Sequence, residues 1–235
     1  MAARMFIQCI MVSLLGGLIC LDRIVIQSMI ARPVIAAPLM GFFLGDPYSG
    51  LLIGAFIELF WIDRLPIGTL IPPNDSLTAI LVTASCILSG RMIGHSCREI
   101  MAFSLLIYIP CGYIGQKMEI FYISVNERLA KAALSCAEKA DLNGVASKHL
   151  LSPLLYFVLS FSFILLFLWP GIVVTTFLFP RFSPSILEAL NMLFFFYPLL
   201  GIAVALNTIH LRGMIPVFCG VFLLAAILME LFHGL

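Results

Sequence analysis

One acidic residue lies inside an apolar run. Glu58 belongs to the segment GAFIELFW and has apolar residues on both sides. An ionised carboxylate facing hydrocarbon is costly, so we expect Glu58 to face a cavity or a charged partner. A carboxylate has several acceptor sites for ligand hydroxyls, which makes Glu58 the first candidate binding residue. The structural alternative is an ion pair, or the capping of a helix in a folded-back segment.

Two further pairs of polar residues follow Glu58 in the chain. Asp63 and Arg64 are adjacent, and because adjacent residues of a helix do not face each other, each is expected to pair elsewhere or to mark a charged turn at the membrane interface. Asn74 and Asp75 follow two prolines, which stop a helix. Either residue is suited to capping the next helix, and an exposed helix start also binds hydroxyls. All five residues are candidate ligand contacts, with Asp63 and Arg64 ranked below the others.

The segments that carry these residues are apolar but short. Residues 33–44, 51–61 and 67–71 are each too short for a membrane crossing, which takes about 20 residues. Turn-forming stretches rich in Gly, Pro and Asp separate them. Interrupted backbone occurs at membrane depth only where it is buried in protein or lines a polar cavity, and it indicates a transporter's binding site. We therefore predict that the functional site lies within residues 32–75. Asp46 is interpreted as a turn residue, and Asp22, Arg23 and Arg32 as structural or interfacial.

The composition places the chain in a membrane. Of its 235 residues, 62% are hydrophobic and 11% are charged, whereas soluble domains have about 25% charged residues. The net charge of +1, without a clustered basic face, excludes a nucleic-acid-binding protein. The seven cysteines form no CxxC pair and are interpreted as buried thiols. No metal-ligand set, nucleotide-binding loop or nucleophile motif is present, so we expect a conduit with no catalytic residue and no cofactor.

Hydropathy divides the chain into three regions. Residues 1–122 form an N-terminal membrane block that includes a broken-helix motif at 32–80, and residues 150–235 form a C-terminal membrane block. Residues 123–149 are polar and predict a separate amphipathic helix on the membrane surface, ended by Asn143 and Gly144. The stretch from Lys117 to Lys148 carries five of the 13 basic residues, which indicates the cytoplasmic side.

The fold class predicted from these patterns is all-α, with six to eight membrane-embedded helices, some of them broken or re-entrant. The tripeptide Trp169-Pro170-Gly171 is expected to end one helix. The predicted full-length spans are residues 5–21, 100–122 with a kink near Pro110, 151–168, 186–207 and 214–232.

The stretch with the most specific pattern is GLLIGAFIELFWIDRLPIGTLIPPNDSLTAI, residues 50–80. It resembles the signature segment of IIC subunits in the mannose–fructose–sorbose family of the phosphotransferase system (PTS). The preceding stretch, RPVIAAPLMGFFLGDPYSG at 32–50, is similar to the segment before that signature in the same family. Weaker similarity continues in residues 137–144 and from residue 205 onwards. The matched segments occur in the family's order.

This resemblance implies a sugar-conducting subunit of a bacterial inner membrane. Such subunits pair with a IID membrane subunit and work with soluble IIA and IIB proteins, and the complexes assemble as trimers of IIC–IID pairs. Phosphate passes from phosphoenolpyruvate through carrier proteins to a histidine of IIB and then to the sugar. The IIC–IID pair binds a hexose-type sugar from outside. The family's sugar-binding polar residues lie on the segment that matches residues 58–75.

One departure from the family and two other functions stay open. Many relatives carry an acidic residue where this chain has Asn74, and here the acid follows at Asp75. An amide still binds hydroxyls, so the difference concerns specificity. One alternative is an ion-coupled secondary transporter in which Glu58 gains and loses a proton. The other is a membrane scaffold or regulatory remnant that docks soluble PTS proteins through residues 124–149.

Overall fold

The computed structural model describes residues 2–64, 70–94 and 97–208, together with Cys219, Gly220 and Leu223. Most of the predicted segment 67–71 and most of the predicted span 214–232 lie outside these residues. Within them, every regular element is helical, which confirms the all-α prediction. The helices are α1 (Ala2–Leu21), α2 (Pro33–Phe43), α3 (Pro47–Phe60), α4 (Asp75–Ile93), α5 (Arg98–Glu138), α6 (Leu142–Leu178), a 3-10 turn (Phe179–Arg181) and α7 (Pro184–Thr208).

Four of these helices are long and apolar enough to cross a bilayer, which confirms a multi-pass membrane protein. By contrast, α2 and α3 have 11 and 14 residues, or about 16 and 21 Å of helix at 1.5 Å per residue. Neither length reaches across a hydrocarbon core of about 30 Å. The prediction of short, interrupted segments is confirmed for these two helices.

The turn between α2 and α3 follows from its sequence. Gly45 has a φ of +80°, which a glycine adopts without strain. Asp46 then caps α3 by accepting a hydrogen bond from the amide of Ser49 at 3.0 Å, as expected for a turn residue. The two helices form a close hairpin, because a Cβ on Gly50 would clash with the carbonyl oxygen of Ala37. The hairpin packs against α4.

Helix α4 is the centre of the molecule. Every side chain from Ser76 to Gly90 is buried, so this span is surrounded by protein. That position accounts for its Ser and Thr residues, which would be poorly placed against lipid. Helices α2, α3, α5 and α6 pack around α4 and hold it in place.

The helix boundaries predicted for residues 123–149 are wrong. No separate surface helix begins near residue 123, because α5 is continuous over 41 residues, about 60 Å of helix. Nor do Asn143 and Gly144 end a helix. The chain turns at Ala140, whose φ is +55°, and Asp141 caps the start of α6 by accepting from the amide of Gly144 at 3.0 Å.

The predicted break at Trp169-Pro170-Gly171 is also wrong. Helix α6 continues through Pro170 to Leu178. Proline is tolerated inside membrane helices because neighbouring groups compensate for the lost backbone bond. Gly171 is needed for a different reason: the phenol of Tyr108 lies where a Cβ on residue 171 would be.

Candidate functional site

A cavity of about 420 Å³ lies where the predicted functional region meets the ends of several helices. The segment after α1, the start of α2, the end of α3 and the start of α4 form its walls. Three carboxylates and three guanidiniums line it, so its formal charges balance. The lining residues are Asp22, Arg23, Gln27, Met29, Ala31, Arg32, Glu58, Trp61, Ile62, Arg64, Pro72, Asp75 and Ser76.

Glu58 is on this cavity, near the end of α3, and it is paired. Its Oε1 accepts a hydrogen bond from Arg32 Nε at 2.7 Å and a second from Nη2 of the same guanidinium. Its Oε2 accepts only a long hydrogen bond, from the amide of Val34 at 3.4 Å. The expectation that Glu58 faces a cavity or a charged partner is confirmed, since it has both. Because both nitrogens bind the same oxygen, Oε2 is left largely available.

Asp75 is on the same cavity, at the first position of α4. Arg23 Nη1 donates to its Oδ1 at 2.5 Å and to Ser76 Oγ at 2.9 Å. A carboxylate in the first turn of a helix is also favoured by the helix dipole. Like Glu58, Asp75 binds its arginine through one oxygen. Among the described residues, no hydrogen bond reaches Asp75 Oδ2.

Behind this wall lies a buried carboxylate that the sequence analysis did not consider. Glu119, in the middle of α5, accepts hydrogen bonds from Asn74 Nδ2 at 2.9 Å and from the Tyr156 hydroxyl at 3.1 Å. Its Oε1 is also 3.3 Å from Arg23 Nε. Arg23 therefore bridges two carboxylates, and this network joins the end of α1 to α4, α5 and α6. A hint was present in the sequence, because Glu119 lies near the end of the apolar span predicted at residues 100–122.

Asn74 is placed differently from the other candidates. It is fully buried and does not line the cavity. Its Oδ1 caps α4 by accepting from the amide of Leu77 at 2.9 Å, while its Nδ2 donates to Glu119. Its own amide donates to the carbonyl of Gly112 at 2.9 Å. The capping role expected for this residue is confirmed, and every polar atom of its side chain has a protein partner in this conformation.

Asp63 and Arg64 lie in the turn after α3. Their side chains approach each other to 3.4 Å, which adjacent residues can do because the turn is not a helix. Arg64 lines the cavity, whereas Asp63 does not. The structure therefore brings together Glu58, Arg64 and Asp75 on one cavity and leaves Asp63 at its margin.

Arg23 and Arg32, interpreted from the sequence as structural or interfacial, both line the cavity. Arg23 also has the structural role expected of it, because it bridges Asp75 and Glu119. Asp22 has a structural role: it accepts hydrogen bonds from Ser28 and from the amide of Ala31, which shapes the segment before α2. Trp61, also missed, is one of the residues that line the cavity. An aromatic residue three positions after Glu58 was the available signal.

The lining suits a neutral, hydroxyl-rich ligand. Carboxylates accept and guanidiniums donate hydrogen bonds, so a hydroxyl that does both is matched on either side. Balanced charge gives the site no preference for an ion. An aromatic face would cover the C–H surface of a sugar ring. Among the described residues, no group of three His, Cys, Asp or Glu side chains is arranged to hold a metal.

Comparison with known proteins gives the chain a family. The family model described as the PTS system sorbose-specific IIC component matches residues 6–233. The sorbose-specific EIIC component of Lacticaseibacillus casei is 25% identical over 94% of this chain and 78% of its own length. The mannose-specific EIIC component of Escherichia coli K12 is 25% identical over 62% of this chain, which spans about half of that relative (52%).

Two solved structures share the fold. One, described as the structure of a membrane protein, superposes with a TM-score of 0.71 at 19% identity and covers 97% of this chain and 96% of its own. The other is the cryo-EM structure of the mannose transporter ManYZ with microcin E492, with a TM-score of 0.54 at 22% identity, covering 94% and 85%. Since the family model spans nearly the whole chain, the protein belongs to the sorbose- and mannose-type family of PTS IIC membrane components.

Proposed function

We propose that this chain is the sugar-binding and translocating IIC subunit of a mannose-type PTS permease in the bacterial inner membrane. The charge-balanced cavity at the start of α4 carries the proposal. Its volume of about 420 Å³ is within the roughly 300–1,000 Å³ of small-molecule sites. A hexose-type sugar is neutral and rich in hydroxyls, which is the class of ligand that this lining matches.

Glu58 and Asp75 are the proposed acceptors for sugar hydroxyls. Each keeps one carboxylate oxygen on its arginine and has the other oxygen available, so the sugar binds without breaking either ion pair. Arg32 and Arg64 are the proposed donors, and the Trp61 ring packs against the apolar face of the sugar. Asn74 contributes from behind the wall by holding the start of α4 and the Glu119 carboxylate. The prediction that Asp63 contacts the sugar stays open, as a weaker contact from the margin of the first cavity.

The chemistry of phosphorylation is assigned to a partner. IIB carries the phosphohistidine, and this chain binds, orients and releases the sugar with no catalytic residue of its own. The proposed assembly contains a IID membrane subunit, soluble IIA and IIB proteins, and a trimer of IIC–IID pairs. The likeness to the ManYZ transporter structure supports such an assembly at the level of the fold.

Glu58→Gln tests the site directly. The amide keeps the shape of Glu58 and loses its charge, which weakens both the pair with Arg32 and the hydrogen bonds to the sugar. Hydrogen bonds to charged groups contribute about 1.5–3 kcal/mol, so hexose affinity is expected to fall about tenfold to a hundredfold. Binding of a hexose panel to the purified IIC–IID complex measures this, alongside phosphoenolpyruvate-dependent uptake.

The matched control is Glu188→Gln, which neutralises an exposed acid on α7 away from the cavity. It is expected to bind sugar as the wild type does. Wild-type binding and uptake in Glu58→Gln would show that its charge is not part of the sugar site. Vesicle uptake driven by a proton gradient, with no phosphorylated IIB present, would instead favour the ion-coupled transporter.

A further inference from the structure

A second cavity, of about 720 Å³, lies between the segment after α1 and the hairpin of α5 and α6. The part of the hairpin that forms it belongs to the stretch predicted to face the cytoplasm. The charges that line it differ from those of the first cavity. Among the described residues, its lining includes Arg23 and Lys148 but no carboxylate. Its polar lining residues include Arg23, Gln27, Asn126, Lys148, His149 and Ser152.

Hydrogen bonds within this wall connect three of its polar side chains. Ser152 Oγ donates to Asn126 Oδ1 at 2.6 Å and lies 2.8 Å from the hydroxyl of Tyr122. Because the amide oxygen of Asn126 is occupied, its NH₂ group is the part available to a ligand. Lys148 has no ion pair among the residues that the structure describes. The wall thus combines amide donors with one uncompensated positive charge, which matches an anion.

The two cavities share a wall. Arg23 and Gln27 line both of them, and Arg23 binds Asp75 on the side of the first cavity. The two cavities therefore adjoin at the side chains of Arg23 and Gln27. The shared segment has a strained backbone, since Gln27 and Met29 have φ values of +57° and +66° without being glycine.

We propose that the second cavity binds the phosphomonoester group of the phosphorylated sugar, the anionic product of the PTS reaction. This inference rests on the proposed function, because it assigns the neutral sugar to the charge-balanced cavity and its phosphorylated form to the positive one. At neutral pH a phosphomonoester carries a charge of about −1.5 to −2 and three strong acceptor oxygens. Lys148 supplies the point charge, and Asn126 and His149 supply donors.

Lys148→Gln in the purified IIC–IID complex tests the site, with inorganic phosphate and a panel of hexose 6-phosphates as probes. Loss of the charge is expected to weaken binding of both probes at least fivefold, while Lys148→Arg retains it. The control is Lys139→Gln, an equal charge change at an exposed residue outside the cavity. Equal affinities in Lys148→Gln and Lys139→Gln would overturn the proposal.

An anionic lipid headgroup shares the chemistry of a phosphosugar, so a second arm separates the two. The complex is placed in nanodiscs with and without phosphatidylglycerol and analysed by native mass spectrometry. Hexose 6-phosphate that binds equally in both supports the product site. The proposal is overturned if the wild-type complex retains phosphatidylglycerol, Lys148→Gln loses it, and hexose 6-phosphate does not displace it.

Failure of this site is distinguishable from failure of the sugar site. Glu58→Gln is expected to lose binding of unphosphorylated hexose and to bind inorganic phosphate as the wild type does. If Glu58→Gln binds hexose normally while Lys148→Gln loses phosphate, the sugar site is refuted and the anion site stands. If Glu58→Gln loses hexose binding while Lys148→Gln keeps phosphate binding, the anion site is refuted and the sugar site stands.

Discussion

Two arginine–carboxylate systems lie beside the same cavity, and they differ in burial. In the pair of Arg32 and Glu58, the side chains are 45% and 16% exposed, whereas Arg23 in the second system is 24% exposed. In the network around Glu119, the carboxylate side chain is 11% exposed and has three donors from different parts of the chain. The same chemical groups therefore have two uses. An exposed pair exchanges hydrogen bonds with a ligand at small cost, whereas a buried network holds helices in place.

The physical basis of the difference is desolvation. Taking a charge out of water costs several kcal/mol, and a buried pair recovers this only while all its partners are present. Removing one partner leaves the other charge buried and uncompensated. At an exposed pair, water replaces the lost partner, so the effect on stability is small. The comparison predicts a graded series of losses in the free energy of unfolding.

Glu119→Ala is expected to have the largest effect. It removes the acceptor of Asn74 and Tyr156 and one partner of Arg23, all at a buried position. Breaking a buried pair in this way costs about 3–5 kcal/mol. Unfolding of the purified chain in detergent measures the loss. Glu138→Ala, at the exposed end of the same helix, is the control and should change stability by less than about 0.5 kcal/mol. Similar losses in both variants would refute a structural role for the network.

Asn74→Ala is expected to have an intermediate effect, of about 2 kcal/mol. The loss of a helix cap contributes about 1 kcal/mol, and the loss of the buried hydrogen bond to Glu119 contributes about the same. Asn74→Ser separates the two parts, because serine caps a helix but is too short for the same bond to Glu119. Its loss should be about half that of Asn74→Ala. If serine and alanine destabilise equally, the cap contributes nothing at this position.

Glu58→Gln is expected to have the smallest effect on stability, less than about 1 kcal/mol, although it is the variant expected to lose sugar binding. The pair with Arg32 is partly exposed, so water compensates for the lost charge. The same detergent unfolding assay measures it. A loss as large as that of Glu119→Ala would mean that Glu58 holds the fold together, and the distinction between the two systems would fail.

Local patterns predicted several features of the region that lines the first cavity. Glu58 had to face a cavity or a partner because lipid does not solvate a carboxylate, and it does. Gly45, Asp46 and Pro47 predicted a turn between two short helices, and the structure has it. The end of α5 was mispredicted because the turn occurs at Ala140, a residue that rarely adopts a positive φ, while the more usual Asn-Gly lies inside α6. The position of this turn depends on how α5 and α6 pack against each other.

The amino-acid sequence by itself determined that the chain lies in a membrane, that two of its apolar helices are too short to cross, and that the interrupted region from Arg32 to Asp75 supplies residues to a polar cavity. These follow from composition, helix length and turn residues, which act locally. Tertiary structure alone decided which polar side chains pair with each other. Arg23 meets Asp75 across 52 positions, and Asn74 meets Glu119 across 45. The physical reason is that an ion pair depends on distance and burial, and both are set by the path of the chain through the packed helices.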